Sequence, residues 1–301
     1  MNRAFMYIVI GATLWGTIGF YVKKLYEYEF TPMEVVTIRV MIAAVVLLIY
    51  LISTSPKSLK LQQFSDIKYF LGTGIISFSF FNYCMFKTIE LSTIPISAAL
   101  LYTAPAFVIV ISYFLFQEKI TAIKLIALCS TFIGVIFVVG LIPLHLQSIS
   151  FITIIIGLGS GLGYALYSIF SKYALKKYSS LVITTYTFVV AAIALMPFFP
   201  YREKLRLLLN FDVLPYILGL GLLPTTIAYI VYTYGLQRTE ASKAAIIATI
   251  EPVVATFIGI FLFVEPFTIF QLLGMVFIIG AVILVQLQSD AFMKKSNKKR
   301  V

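Results

Sequence analysis

Lys243–Glu265, KAAIIATIEPVVATFIGIFLFVE, is apolar for about twenty residues, long enough to cross a bilayer core as a helix. A carboxylate, Glu251, stands near its middle, with Pro252 immediately after it. An ionised Glu at bilayer depth costs roughly 2.5–3.5 kcal/mol even on lenient insertion scales. Proline lacks a backbone donor and clashes with the carbonyl four residues back, so the helix is expected to bend there. A costly charge beside a helix breaker points to a polar interior within the membrane, not to a plain anchor.

The rest of the chain is of the same kind. Apolar residues make up 61%, charged residues 12%, and the mean hydropathy is +1.01. Soluble domains are near half apolar and a quarter charged, so the composition describes an all-α integral membrane protein. Ten apolar stretches can be marked off: 4–22, 34–53, 68–88, 93–116, 122–140, 151–171, 182–199, 213–236, 242–264 and 268–287. Only short loops remain between them, too small for a soluble domain. The N-terminal run has no small-x-small cleavage site and contains Trp15, which marks it as the first span and not a signal peptide. The net charge of +11 resides between spans and in the C-terminal KKSNKKR, a distribution that reads as topology signal and attraction to anionic lipid. A nucleic-acid partner is not expected. Placing both termini in the cytoplasm puts sixteen Lys and Arg inside and six outside, with Arg39 left within the second span. That imbalance favours an N-in, C-in protein of the plasma membrane, and the basic outer segment YREKLRLLLN is its weakest point.

The chain also repeats itself. A shift of 147 positions lays Pro105 on Pro252, FLFQE (114–118) on FLFVE (261–265), Thr121 on Thr268 and Leu125 on Leu272. A shift of 149 sets Trp15-Gly16 on Tyr164-Ala165 and Lys23 on Lys172. Hydrophobic bias does not align Pro, Glu and Thr. The reading is two halves, 1–140 and 141–301, of five spans each. An odd number of spans inverts the second half relative to the first, the construction used by many secondary transporters, whose substrate site lies at the midplane between repeats.

These residues resemble the EamA family of the drug/metabolite transporter superfamily. The resemblance is carried by ATLWGTIGFYVKK (12–24), by Thr31-Pro32 followed by Arg39, by FLFQEKIT and FLFVEPFT after a proline in the fourth and ninth spans, and by IEPVVATFIGIFLFVE (250–265). It extends from Trp15 to about Gln286. It implies ten helices, with spans one to four and six to nine around a cavity, spans five and ten peripheral and available for self-association, and export or exchange of small metabolites, commonly amino acids. Two positions depart from symmetry: Ala104 stands opposite Glu251, and Phe188 stands where a counterpart of Arg39 would fall.

No covalent chemistry is expected. The one histidine, His145, lies in a loop, Cys84 and Cys129 sit in apolar segments without a CxxC partner, and no His, Cys, Asp and Glu cluster has metal-ligand spacing. A GxxxxGK phosphate loop is absent, so neither ATP hydrolysis by this chain nor any cofactor or metal is expected. The glycines 157–163 have overlapping GxxxG spacing, suited to close helix packing. Helical spacing assembles a stripe of Ser160, Tyr164, Tyr167 and Ser171 on span six, Thr225, Tyr229 and Tyr232 on span eight, and Ser79, Asn82, Tyr83 and Phe86 on span three. Trp15, Asn82, Tyr83, Tyr102, Tyr164, Tyr167, Tyr229 and Tyr232 are the expected cavity lining. A tyrosine ring packs on an apolar substrate while its hydroxyl bonds polar atoms.

Two charges remain open at this stage. Arg39 either snorkels to the outer surface, bonds to a neighbouring helix, or binds a carboxylate of the substrate or of Glu251. Glu251 either satisfies backbone freed near Pro252 or serves recognition and coupling to protons or a counter-substrate. The expectation is a secondary transporter exporting a small metabolite, an amino acid or related compound, by alternating access. An exporter of drugs and organic cations and an uptake carrier are the alternatives.

Overall fold

The computed structural model describes residues 3–141 and 150–298, with side chains as far as Leu287 in the last helix. His145 and the side chains of the basic C-terminal tail lie outside these residues. All ten expected spans are helical: α1 Arg3–Tyr26, α2 Pro32–Thr54, α3 Phe64–Leu91, α4 Ile94–Phe116, α5 Ala122–Val138, α6 Phe151–Ala174, α7 Ser180–Phe198, α8 Leu214–Leu236, α9 Ala241–Phe263 and α10 Ile269–Leu287. Among the described residues nine are long and apolar enough to cross a membrane, and α5 is a shorter apolar helix. It ends at Val138 because the chain turns at Gly140, whose φ of 76° suits glycine. The helix starts are chemically marked. Thr31 and Glu34 form a reciprocal capping box ahead of Pro32, and Thr93, Thr121, Ser150 and Ser179 each accept a bond from the backbone three residues on. The segment YREKLRLLLN folds as a short helix, Tyr201–Leu208. Its Lys204 is tied back to the Glu29 carbonyl and lies 3.6 Å from Glu34.

Packing follows the internal repeat. The main helix partners are α1 with α8 and α9, α6 with α3 and α4, α2 with α7 and α8, α7 with α3, and α5 with α10. Exchanging each helix for the one five places along converts α1–α8 into α6–α3, α1–α9 into α6–α4 and α2–α8 into α7–α3. It maps α2–α7 and α5–α10 onto themselves. The set of neighbours is unchanged by the exchange, which is what two repeats related by a two-fold axis produce. Because each half has five spans, equivalent helices run in opposite directions. The helices α5 and α10 are joined to each other at a close crossing and pack against α4 and α9. A Cβ on Gly134 would lie 2.7 Å from the Gly274 carbonyl oxygen, and Ser130 donates to the Phe277 carbonyl at 2.9 Å.

Two pairs of helices are irregular at matching places. In α4 the regular run breaks at Tyr102-Thr103 and resumes at Ala104, and in α9 it breaks at Thr249 and resumes at Ile250. Pro105 and Pro252 occupy the first turn of the resumed helices, where the missing N–H has no helical partner to lose. The orphaned carbonyls are met locally: Thr103 donates to Leu100 and Thr249 to Ile246, both at 2.6 Å. Wide π-helical turns interrupt α3 over Gly72–Ser79 and α8 over Gly221–Ile227, the latter around Pro224. Thr225 and Thr226 return hydrogen bonds to the carbonyls of Leu220 and Gly221, and Ser79 does the same to Gly74.

The glycine run of α6 serves packing, as its spacing suggests. A Cβ on Gly157 would sit 2.3 Å from Leu100, one on Gly161 would sit 2.4 Å from the Thr103 hydroxyl oxygen, and one on Gly163 would sit 2.9 Å from Phe81. Two of these glycines therefore admit α4 and the third admits α3. Gly161→Ala is expected to destabilise the fold by about 1–3 kcal/mol through overpacking, because Thr103 is pinned and the Leu100 carbonyl oxygen lies 2.8 Å away. Gly280→Ala, with nothing within 4 Å and inside a helix, should not lower stability and should raise it slightly, since Ala is the better helix former. Reversible unfolding in detergent micelles measures both.

Candidate functional site

Between the halves lies a cavity of about 420 Å³, lined from α1, α2, α3, α4, α6, α8 and α9. Neither α5 nor α10 contributes. Its mouth is at the end where α1 and α9 finish and α2 and α4 begin, marked by Lys23, Tyr26, Ile94, Phe263 and Glu265. This is the end opposite the chain's first described residue. The depth of the cavity falls at the α9 break, so the irregular backbone lines an interior space and does not face lipid. That is the condition under which a broken helix is tolerated within a membrane.

Aromatic rings close the bottom. Trp15 packs against Tyr232, Tyr229 and Tyr164, with ring centroids 4.7, 5.0 and 6.0 Å apart. Below them the Tyr167 hydroxyl meets Thr233 at 2.7 Å and the Tyr232 hydroxyl meets Ser168 at 2.8 Å, bonding α6 to α8. These bonds seal the floor. Tyrosine suits this layer because its ring fills space while its hydroxyl supplies a cross-helix bond.

Two charges line the wall. Arg39 is 5% exposed and does not reach the surface. Its guanidinium lies over the Phe78 ring at 4.9 Å and donates to Asn82 Oδ1 at 3.3 Å, while Asn82 Nδ2 donates to the Phe78 carbonyl at 2.8 Å. Asn82 is thus held with its oxygen toward the arginine. Glu251 accepts a bond from the Tyr164 hydroxyl at 3.2 Å, and Tyr102 lies within interaction range of the same carboxylate. Among the described residues Arg39 and Glu251 form no salt bridge with each other or with any other group, and Arg39 Nε and Trp15 Nε1 have no hydrogen-bond partner. Leaving a buried donor unmet typically costs about 1–3 kcal/mol. One wall of the cavity therefore carries positive charge, and another offers a carboxylate framed by tyrosine.

The structure sorts the residues singled out from sequence. Trp15, Asn82, Tyr164, Tyr229, Arg39 and Glu251 line the cavity. Tyr167 and Tyr232 lie beneath it, in the sealed layer. Tyr102 is buried and lines a tight space of about 10 Å³ bounded by α4, α6, α8 and α9. The expectation for Tyr83 is corrected: it is 58% exposed and faces a separate groove with Thr31, Thr37, Phe80 and Phe198. Consecutive helical residues diverge by about 100°, so Asn82 and Tyr83 cannot share a face, whereas Asn82 and Phe86 do. The snorkelling reading of Arg39 is likewise set aside by its burial. Lys172 also turns inward, from the end of α6, donating to the Leu236 carbonyl at 2.9 Å and to the Thr239 carbonyl. Sequence reasoning missed the apolar lining of Phe81, Met85, Ile258 and Phe263, since nothing distinguishes these residues from lipid-facing ones in an apolar helix.

Comparison with known proteins agrees with this geometry. The model of the EamA-like transporter family matches twice, over residues 2–140 and 151–287. An uncharacterized transporter of Archaeoglobus fulgidus is 32% identical over 216 residues, covering 70% of this chain and 74% of that one. Another from the same organism is 24% identical, with 90% and 94% covered. An uncharacterized transporter of Clostridium kluyveri is 25% identical, with 94% and 93% covered. A crystal structure superposes with a TM-score of 0.78 at 14% identity, covering 96% of this chain and 98% of that one, and so shares the fold. With both of its halves matched, the chain belongs to the EamA-like transporter family.

Proposed function

We propose that the protein is a secondary transporter that carries a small, partly apolar metabolite bearing both a carboxylate and an ammonium group, an amino acid or related compound, by alternating access. One observation carries this reading: a cavity between the two halves, open at one end and closed at the other, with Arg39 and Glu251 on its wall and, among the described residues, neither within salt-bridge distance of a protein partner. Guanidinium matches carboxylate geometry in a bidentate way, and Asn82 aims the guanidinium. The carboxylate of Glu251 with the Tyr164 hydroxyl suits an ammonium group, and the rings of Trp15, Phe81 and Tyr229 suit an apolar side chain.

The distribution of Lys and Arg supports cytoplasmic termini in the plasma membrane. In that orientation the open end faces outward, and the cycle exports substrate by returning through the form closed at this end. Domain limits near 140 keep each repeat whole, and Glu251 is the group that couples transport to protons or to a counter-substrate. The two halves rock about the breaks in α4 and α9, where Tyr102, Thr103 and Thr249 interrupt regular helix.

Flux through the purified protein in lipid vesicles tests the reading, using radiolabelled amino acids and organic amines with and without a proton gradient. Uptake of at least one amino acid is expected. No flux across the whole panel overturns the proposal, preference for bulky organic cations favours a drug exporter, and obligatory inward flux favours an uptake carrier. Arg39→Gln is expected to weaken binding of a carboxylate substrate roughly 10- to 100-fold, the loss of one charge-assisted hydrogen bond of about 1.5–3 kcal/mol. Its methyl ester should be affected far less, and isothermal titration compares the two. Glu251→Gln is expected to flatten the pH profile of transport while leaving the melting temperature close to that of the parent. A pH profile unaltered by this change would remove Glu251 from coupling.

A further inference from the structure

The two ends of the molecule are held by residues that the repeat places in equivalent positions, yet they are bonded differently. At the closed end the chain leaves α4 through Gln117, in the left-handed region with φ 55°, and presents Glu118. The Glu118 carboxylate accepts from Ala241 N at 2.7 Å and Ser242 N at 3.1 Å, and also from the Ser242 hydroxyl. It caps the N-terminus of α9, a position where the helix dipole and free N–H groups favour an anion. Lys124 lies 3.8 Å from Glu118 and 2.6 Å from Glu240, and is 2% exposed. Burial alone would push the pKa of the Glu240 carboxyl up, but the Lys124 bond and the charges of Lys124 and Lys243 outweigh it, holding the group below the ordinary carboxylate range. Lys172 completes the closure by reaching carbonyls of the α8–α9 turn.

At the open end the same turn is repeated. Val264 has φ 53°, and Glu265 N bonds Gly259 O as Glu118 N bonds Ser112 O. The geometry of the chain is equivalent, but Glu265 does not cap α4. It pairs instead with Lys23, the counterpart of Lys172, across the mouth of the cavity. The N-terminus of α4 is capped by its own Thr93. Shifting the closed-end contacts by 147 positions gives the contacts of the other state: Glu265 on Ile94 N, with Lys23 released toward carbonyls near Ser92. The substitutions at the shifted positions are unequal. Pro95 stands opposite Ser242 and lacks both the N–H and the hydroxyl, and neutral Gln271 stands opposite Lys124.

We propose that Glu118 and Glu265 are alternating latches, each closing one end by capping the helix that begins there, α9 and α4 respectively, and that the poorer donors at Pro95 and Gln271 set the resting protein open at the Glu265 end. The inference rests on the transport reading for its purpose, but the latch is a property of the empty protein. Glu118 exchanges its caps for water when its end opens, and Glu265 exchanges Lys23 for Ile94. The closed end has more charge-assisted bonds to lose, so the equilibrium lies on its side. The latch residues do not touch the substrate cavity floor, and their effect is on which end is open.

The test uses the full chain in nanodiscs with Cys84→Ala and Cys129→Ala, spin-labelled in pairs at exposed positions. Lys119→Cys with Arg238→Cys reports the closed end, and Leu91→Cys with Phe267→Cys reports the open end. In the absence of substrate, Glu118→Gln is expected to lengthen the first distance, shorten the second and raise the population closed at the Glu265 end roughly tenfold or more. The double change Pro95→Ser with Gln271→Lys restores donors to the other latch and should shift both distances in the same direction without touching Glu118. If Glu118→Gln lowers the melting temperature but leaves both distances unaltered, Glu118 is a static cap and the proposal fails. It fails equally if the double change moves neither distance. A distance shift with no vesicle flux would uphold the latch and remove the transport reading, so the two failures are distinguishable.

Discussion

Within a bilayer core every backbone N–H and C=O must find its partner inside the protein, and the form of this molecule depends on that constraint. Helices meet it automatically, so the chain is helical wherever it is apolar. The exceptions are instructive because each is compensated nearby. Thr103 and Thr249 return their hydroxyls to carbonyls at the two helix breaks, and Pro105 and Pro252 sit where a helix needs no N–H. Ser79, Thr225 and Thr226 do similar work beside the wide turns of α3 and α8. Irregular backbone is confined to helices that surround the interior, while α5 and α10, which contribute nothing to the cavity, are unbroken.

For the proposed alternating access, regularity outside and interruption inside give the halves something to move about. A straight helix resists bending because many hydrogen bonds share the load. A helix already interrupted at one residue concentrates a change of angle there. The breaks in α4 and α9 lie at the depth of the cavity, and the latching carboxylates lie at the ends of the same two helices. In the proposed cycle, a change of angle at either break is carried directly to the end of the helix that closes or opens. The α6–α8 contacts through Tyr167 and Thr233 and through Ser168 and Tyr232 keep the floor sealed. The asymmetry needed for function is superimposed on this symmetry. Arg39 has Phe188 as its counterpart, and both flank Phe78, one as a cation over the ring at 4.9 Å and the other edge-on at 5.5 Å. One architectural position thus holds a charge in the first half and an aromatic ring in the second.

Much of the fold was legible in the residues, and for a simple reason. Twenty-residue apolar runs in a membrane admit one backbone conformation, so length and hydropathy found all ten helices. The aligned Pro, Glu and Thr exposed the repeat because apolar bias does not generate them. The site was only half legible. Helical spacing predicts which residues share a face but not which face looks inward, since lipid and a packed interior accept the same apolar side chains. Tyr83 and Tyr164 illustrate this. Both lie well inside their spans, but one faces outward at 58% exposure and the other bonds Glu251.

The sequence by itself determined the class of protein, the number of helices, the duplication and the two residues, Arg39 and Glu251, whose charge had to be explained. Hydrophobic transfer and charge placement are properties of residues, and they can be read from a string. Only the tertiary structure decided which rings form the floor, that Arg39 is steadied by Asn82 and not by Glu251, and which end of the cavity is open. Those facts depend on how helices rotate and cross, which is set by contacts such as Gly161 against Thr103 that no single segment contains. The stretch Lys243–Glu265 shows both kinds of information. Its Pro252 and Glu265 are repeated features of the architecture, while Glu251, with Ala104 opposite, is the member of that stretch whose surroundings had to be seen in three dimensions.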